Sequence, residues 1–184
     1  MTGRPEHCAV MPQQDLLFPW RTVLDNVALG LQVQGVPRAE ARRRAAGRFA
    51  EFGLDGFEDA RPGALSGGMR QRAALLRTVV QDRPVLLLDE PLGALDALTR
   101  TQLQSWLTSM RRTHSWTVVM ITHDVREAVL LSDRVLVLGP RPTTVVDEVP
   151  VDLPADRGPG SAAAVAVVEL ERRLLRALGN SAPG

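Results

Sequence analysis

The chain contains no lysine: its 22 Lys+Arg residues are all arginine. A phosphate-gripping loop of the form G-x-x-x-x-G-K-[ST] uses one lysine ammonium to reach the outer phosphates while backbone N–H groups cradle the rest, so such a loop is excluded from these 184 residues. Tyrosine is absent too, and with Arg, Ala, Gly and Pro abundant this points to a GC-rich coding sequence and says nothing about mechanism. The single cysteine, Cys8, rules out a disulfide within the chain and fits a reducing compartment. Beside Ala9 and Val10 it reads as a small core residue rather than a nucleophile. No apolar run approaches the roughly 18 residues of a membrane span. Residues 1–20 lack the basic start, apolar middle and small-residue cleavage site of a signal peptide, so the expectation is a chain made and kept in the cytosol. An excess of one charge is missing as well: the arginines are interspersed with 21 carboxylates for a net charge of +1, which leaves no nucleic-acid footprint.

What is present is enough for one domain with a core, since a chain of this size can bury roughly 70% of its unfolded surface. A short apolar run at 7–11 predicts a strand ended by Pro12, with Gln13, Gln14 and Asp15 opening a polar turn. Thr22 can cap a first helix that ends near Gly35. Ala41, Ala45, Phe49 and Phe52 recur at helical spacing on one face, leaving Arg42, Arg43, Arg44 and Arg48 to a solvated one. Ser66 is a good N-cap for a helix through Met69 to Val80, and Pro84 opens the strand 85–88, whose unbroken apolarity predicts cover on both faces.

A helix over 97–112 follows, with Leu103, Leu107 and Met110 inward, then a strand over 116–121. Asp124 can cap a short helix over 125–131 before a strand over 134–138. Strand and helix alternate with short connections, which predicts a parallel sheet with helices on both sides. After Gly139 come a strand over 143–149, a Pro- and Gly-containing linker over 153–161, and an amphipathic helix marked by Val167, Leu170, Leu174 and Leu178.

Asp89 and Glu90 end a strand, which puts two carboxylates at the carboxyl edge of a parallel sheet, where open α/β sheets bind ligands. There Asp89 suits Mg²⁺ and Glu90 suits a water attacking a γ-phosphate; an acidic exit from a strand is the plain alternative. Ser66, Gly67 and Gly68 place a hydroxyl and a helix N-terminus together, an anion site in principle, although SGG alone is equally an N-cap after a glycine turn. His123 follows a strand and precedes a capping Asp, and Gln13 lies just beyond the first strand. Either one alone carries little information.

LSGGMRQR at 65–72, LLLDEPLGALD at 86–96 and ITHD at 121–124 occur in one order, with helices and strands between them. In this the chain resembles the ATP-binding cassette (ABC) ATPases over nearly its whole length. The resemblance implies an α/β, P-loop NTPase-like parallel sheet with an inserted helical subdomain. It makes Gln13 the Q-loop glutamine, Ser66, Gly67 and Gly68 the signature motif, Asp89 the Walker B aspartate, Glu90 the catalytic base, Leu95 and Asp96 the D-loop, and His123 the switch histidine. ATP and Mg²⁺ are the implied ligands, the metal held by Asp89 and Gln13. It divides a partial cassette, 1–184, into a Q-loop strand and Q-loop (1–21), a helical subdomain that docks on membrane-spanning subunits (22–65), a core with signature, Walker B, D-loop and H-loop (66–139), and a C-terminal strand, linker and helix (140–184).

The implied partners are a second cassette subunit, membrane-spanning permease subunits and, indirectly, a solute-binding protein, on the inner face of the cell membrane. Relatives with long coiled coils ahead of the signature, which maintain chromosomes or repair DNA, are set aside because the stretch from Gln13 to Ser66 is too short. DLLFPWRTVLDNVALGL at 15–31 and THDVREAVLLSDRVLVL at 122–138 look like the importer ATPases for nitrate, sulfonates, taurine or thiamine-pyrimidine precursors, with Pro19 and Trp20 the most telling pair.

Against that pattern everything ahead of the Q-loop strand is absent: the aromatic that stacks on adenine, the central P-loop strand, the P-loop and its helix. Arginine does not replace the missing lysine, because a planar fork differs in size and geometry from an ammonium. The expectation is that Met1 is an internal codon taken as a start and that the native protein extends upstream. In this family two ATP molecules lie between two cassettes, each gripped by one P-loop and the other subunit's signature. Two copies of this chain would complete no site, whereas an intact partner could have its ATP closed by Ser66, Gly67 and Gly68. Three readings follow: an importer ATPase seen without its N-terminal third, a non-catalytic partner supplying only the signature face, or a product that does not fold alone because a missing strand exposes unpaired backbone.

Overall fold

The computed structural model describes residues 7–93, 95–113, 116–154, 157 and 161–180. It consists of two compact units, Met1–Ser105 with Ser109–Ile121, and Trp106–Thr108 with Thr122–Gly184. The residues ahead of the first strand that suggested an internal start, the Met110 side chain and most of the linker between 153 and 161 lie outside the described residues.

The first unit is built on three parallel strands, β1 (Cys8–Met11), β2 (Val85–Asp89) and β3 (Thr117–Ile121), in that order across the sheet. Their register aligns Val10 with Leu87 and Leu87 with Val119. Because side chains alternate along a strand, Ala9, Met11, Leu86 and Leu88 fall on one face and are buried. The helices of this unit are α1 (Val23–Val27), α2 (Leu29–Val33), α3 (Arg38–Ala46), α4 (Gly67–Val79) and α5 (Ala97–Thr113). Of these, α4 packs on β1 and on α1, and α1 packs on α3. The face predicted from Ala41, Ala45, Phe49 and Phe52 is fully buried, while Arg43 and Arg44 pair with Glu40, and Arg48 with Glu51, at the surface.

Two expectations are corrected here. The single helix predicted from Thr22 is two short ones meeting at Ala28, ended by Gly35 at a φ of +88° that suits glycine. The cover predicted on both faces of β2 is present on one only: Leu86 and Leu88 are buried, but the opposite row stays open, with Val10 57%, Val119 53% and Ile121 58% exposed. Parallel sheets are ordinarily covered on both sides, so this row is apolar for a reason the described residues do not satisfy.

The second unit holds α6 (Val125–Leu131), the antiparallel pair β4 (Arg134–Leu138) and β5 (Val145–Pro150), and α7 (Ala164–Asn180). Its core is Val129, Val137, Val149, Val151, Val167 and Leu174, with Leu170 packed at the margin. Leu178, expected to face inward, is 43% exposed, while its neighbour Ala177 packs against this cluster. Among the described residues β3 pairs only with β2, and β4 only with β5. Among the described residues the parallel sheet runs from β1 to β3 and ends there.

Candidate functional site

The carboxyl ends of β1 and β2 lie side by side, so the residues that follow them emerge at one edge. Glu90 leaves β2 at a φ of +47°, a left-handed conformation that side chains disfavour. Backbone links secure it there: its N–H donates to Ile121 O at 2.9 Å, and its carbonyl accepts Gly93 N–H at 3.2 Å. The turn sets the Glu90 carboxylate against Gln13, whose Nε2 donates to Oε2 at 3.4 Å. Gly93 keeps this space open, since a Cβ there would stand 3.3 Å from Glu90 Oε2.

Asp89 is half-buried as the last residue of β2. Asp89 and Gln13 together offer a carboxylate and an amide carbonyl from adjacent strand ends, hard oxygen donors of the kind magnesium takes from proteins. Among the described residues there is no cluster of three or more His, Cys, Asp or Glu able to hold a metal by itself. This donor set therefore fits an ion that completes its shell from water and phosphate.

Ser66 caps α4 as predicted, its Oγ accepting the Met69 N–H at 3.2 Å. Ser66 and Gly67 are exposed, so the hydroxyl and first-turn N–H groups of α4 are open to an anion. Gly68 packs beside Leu95, where a Cβ would stand 3.5 Å from Cδ2. Asp96 is exposed and caps α5: its Oδ1 accepts Thr99 N–H at 3.0 Å, and the Thr99 backbone bond holds its carboxyl below the usual carboxylate range. His123 belongs to the second unit and is exposed. Its neighbours are fixed by Thr122 Oγ1, which donates to the buried Glu127 carboxylate and accepts Asp124 N–H, both at 3.0 Å. Asp124 caps α6 as predicted. Of the expected site residues, then, the first unit brings Gln13, Asp89 and Glu90 to one edge.

Sequence reasoning missed the side chains that hold this edge. Gln71, 5% exposed on α4, donates from Nε2 to Glu90 O at 3.3 Å. Arg70 Nε donates to Asp15 Oδ2 at 3.0 Å. Arg77 donates to Leu16 O at 2.8 Å and to Asp15 O at 2.6 Å; burial pushes its pKa down, with Asp15 opposing. The one available signal was a polar Gln71 within the mostly apolar inner face of α4. A groove near the second half of the Q-loop, lined by Trp20, Arg21, Asp25, Arg38 and Arg61 among others, was also unforeseen. Buried Asn26 shapes it by accepting Phe18 N–H and donating to Phe18 O and Thr22 O.

A sequence profile of the ABC transporter family matches residues 1–93. The formylaminopyrimidine import ATP-binding protein ThiZ of Halalkalibacterium halodurans is 50% identical over 141 residues, covering 77% of this chain and 57% of that protein. The taurine import ATP-binding protein TauB of Pseudomonas putida is 46% identical over 143 residues, covering 78% and 55%. The aliphatic sulfonates import ATP-binding protein SsuB 2 of Rhodococcus jostii is 46% identical over 175 residues, covering 95% and 67%. Thus the chain spans a little over half the length of the first two relatives. Among solved structures, the dimeric post-hydrolysis state of the ATP-binding cassette MJ0796, bound to ADP and Pi, superposes with a TM-score of 0.71 at 29% identity, over 79% of this chain and 63% of that one.

Proposed function

This chain belongs to the ABC transporter family, and on that footing we propose that it is the ATP-binding and hydrolysing part of an importer for a small solute of the nitrate, sulfonate, taurine or thiamine-precursor type. The observation that carries the reading is the pairing of Glu90 with Gln13 at the sheet edge, on a unit that also presents the capped N-terminus of α4. Glu90 then orients or deprotonates the water that attacks the γ-phosphate, and His123 takes the part of the family's switch histidine. Mg²⁺, when bound by Asp89 and Gln13, supplies charge neutralisation on the phosphates. Asp96 belongs to the D-loop at the seam with a second cassette. Ser66, Gly67 and Gly68 close on the ATP held by that second subunit. Residues 22–65, with the Trp20 groove beside them, face the membrane-spanning subunits, which a solute-binding protein supplies. No described helix is long and apolar enough to cross a membrane, which suits a subunit seated on the inner face of one.

A second reading, a non-catalytic cassette that lends only its signature face, is favoured by the absence of lysine. Without that ammonium a phosphoryl transition state forgoes charge stabilisation worth ~3 kcal/mol or more. The test pairs the 184-residue chain with a lysine-containing cassette whose own signature is inactivated. Both readings predict that the chain restores ATP turnover and that Ser66→Arg in it abolishes the gain by about a hundredfold. Failure of the mixture, while an intact cassette does restore turnover, would sink both. They separate on the nucleotide sequence upstream of the Met1 codon: an open frame entering G-x-x-x-x-G-K-[ST] gives the hydrolysing subunit, and a stop gives the signature-only partner.

A further inference from the structure

Three non-glycine residues of the described chain adopt positive φ, Leu16 at +44°, Asp82 at +48° and Glu90 at +47°. Such conformations persist only where surrounding contacts over-determine them. For two of the three, the contact comes from one helix. Glu90 O accepts Gln71 Nε2 at 3.3 Å, and Leu16 O accepts Arg77 Nη1 at 2.8 Å. Arg77 also donates to Asp15 O, and Arg70, about two turns earlier on α4, binds the Asp15 carboxylate. That carboxylate in turn accepts Leu17 N–H at 3.1 Å, so the turn after Gln13 is held at consecutive residues.

We propose that Gln71 and Arg77 are positioning residues, which hold Glu90 and the turn following Gln13 in left-handed conformation from the same helix that begins at Ser66. The assignment rests on the reading of Glu90 and Gln13 as site residues, but its geometry stands apart from whether ATP is hydrolysed. Burial decides the matter for Gln71: an amide 5% exposed must spend its donors on protein acceptors, and a backbone carbonyl is the acceptor it has found. Arg77 is half-buried, and its two donors meet two consecutive carbonyls. Helix α4 thereby links the capped hydroxyl at its N-terminus, the backbone of Glu90 after β2 and the turn that follows Gln13 after β1. Loosening either clamp releases one loop and leaves the other in place.

The experiment is backbone NMR of the 184-residue chain, with Gln71→Leu and Arg77→Met compared against the parent. In Gln71→Leu the Glu90 carbonyl and Cα shifts leave the left-handed range, and exchange of the Glu90 amide rises about five- to tenfold, the equivalent of one hydrogen bond; Leu16 does not move. In Arg77→Met the reverse holds, with Leu16 moving and Glu90 staying. Unchanged Glu90 shifts in Gln71→Leu, or both loops moving together in each variant, would overturn the assignment. Should either variant not fold, Leu16→Gly, which takes positive φ without strain, gives a second reading. Arg77→Met then costs less stability in the Leu16→Gly background than in the parent, and equal cost in both backgrounds contradicts the proposal.

Discussion

Single residues in this chain act mainly through their hold on backbone. Thr22, Ser66 and Asp124 were legible as helix caps because a short side chain bonding a nearby N–H is a local event that the sequence displays. Gln71 and Arg77 were not, because their acceptors lie in distant loops whose left-handed turns arise only after the strands have paired. Asp25 combines both kinds of contact. Burial acts to raise its pKa, but bonds and charge from Arg42, with Thr22 and Arg38, outweigh it and hold the carboxyl below its ordinary value of 3.8. A depressed carboxylate contributes stability at and above its unfolded pKa and loses it as pH falls through the folded one. Arg42→Met is therefore predicted to weaken the chain near neutral pH while leaving it little changed in strong acid, where Asp25 is protonated in both. Thermal unfolding followed across the acid range checks this; an equal loss at every pH would assign Arg42 a packing role instead.

Elements were legible to the extent that their periodicity was. The alternation of strand and helix gave the parallel pairing of β1, β2 and β3 but not the antiparallel pairing of β4 with β5, and the spacing of Val167 and Leu174 gave the inward face of α7. The open row of the sheet escaped sequence reasoning because unbroken apolarity along a strand does not show which of its faces is covered. In the second unit the short antiparallel pair depends on α7 for cover, and Arg157 adds to it. This arginine, 5% exposed, donates to the carbonyls of Val129, Ser132, Leu153 and Pro154, so it seals the end of α6 and the segment after β5 together. Leu174 is the side chain of α7 set deepest in this core. Leu174→Ala is expected to cost about 2–5 kcal/mol. Hydrogen exchange should show the loss across β4, β5 and α7; unchanged protection there would mean the helix does not hold the sheet.

At the scale of the molecule, the motifs pointed to the family, while the three-dimensional structure shows how their residues are held. It presents a helix capped by Ser66, a carboxylate positioned against a glutamine, and an apolar sheet face with an edge that no described strand pairs. Two expectations on one sheet thus meet different fates: the parallel pairing holds, and the two-sided cover does not. The expected site residues Gln13, Asp89 and Glu90 gather at one edge of the first unit. The most direct test is steady-state ATP hydrolysis by the purified 184-residue chain beside its Glu90→Gln variant. Equal rates at background are predicted, because the 184 residues hold no lysine to reach the outer phosphates. Turnover in the parent that disappears in the variant would contradict the account, showing that these residues secure ATP by a route that needs no lysine.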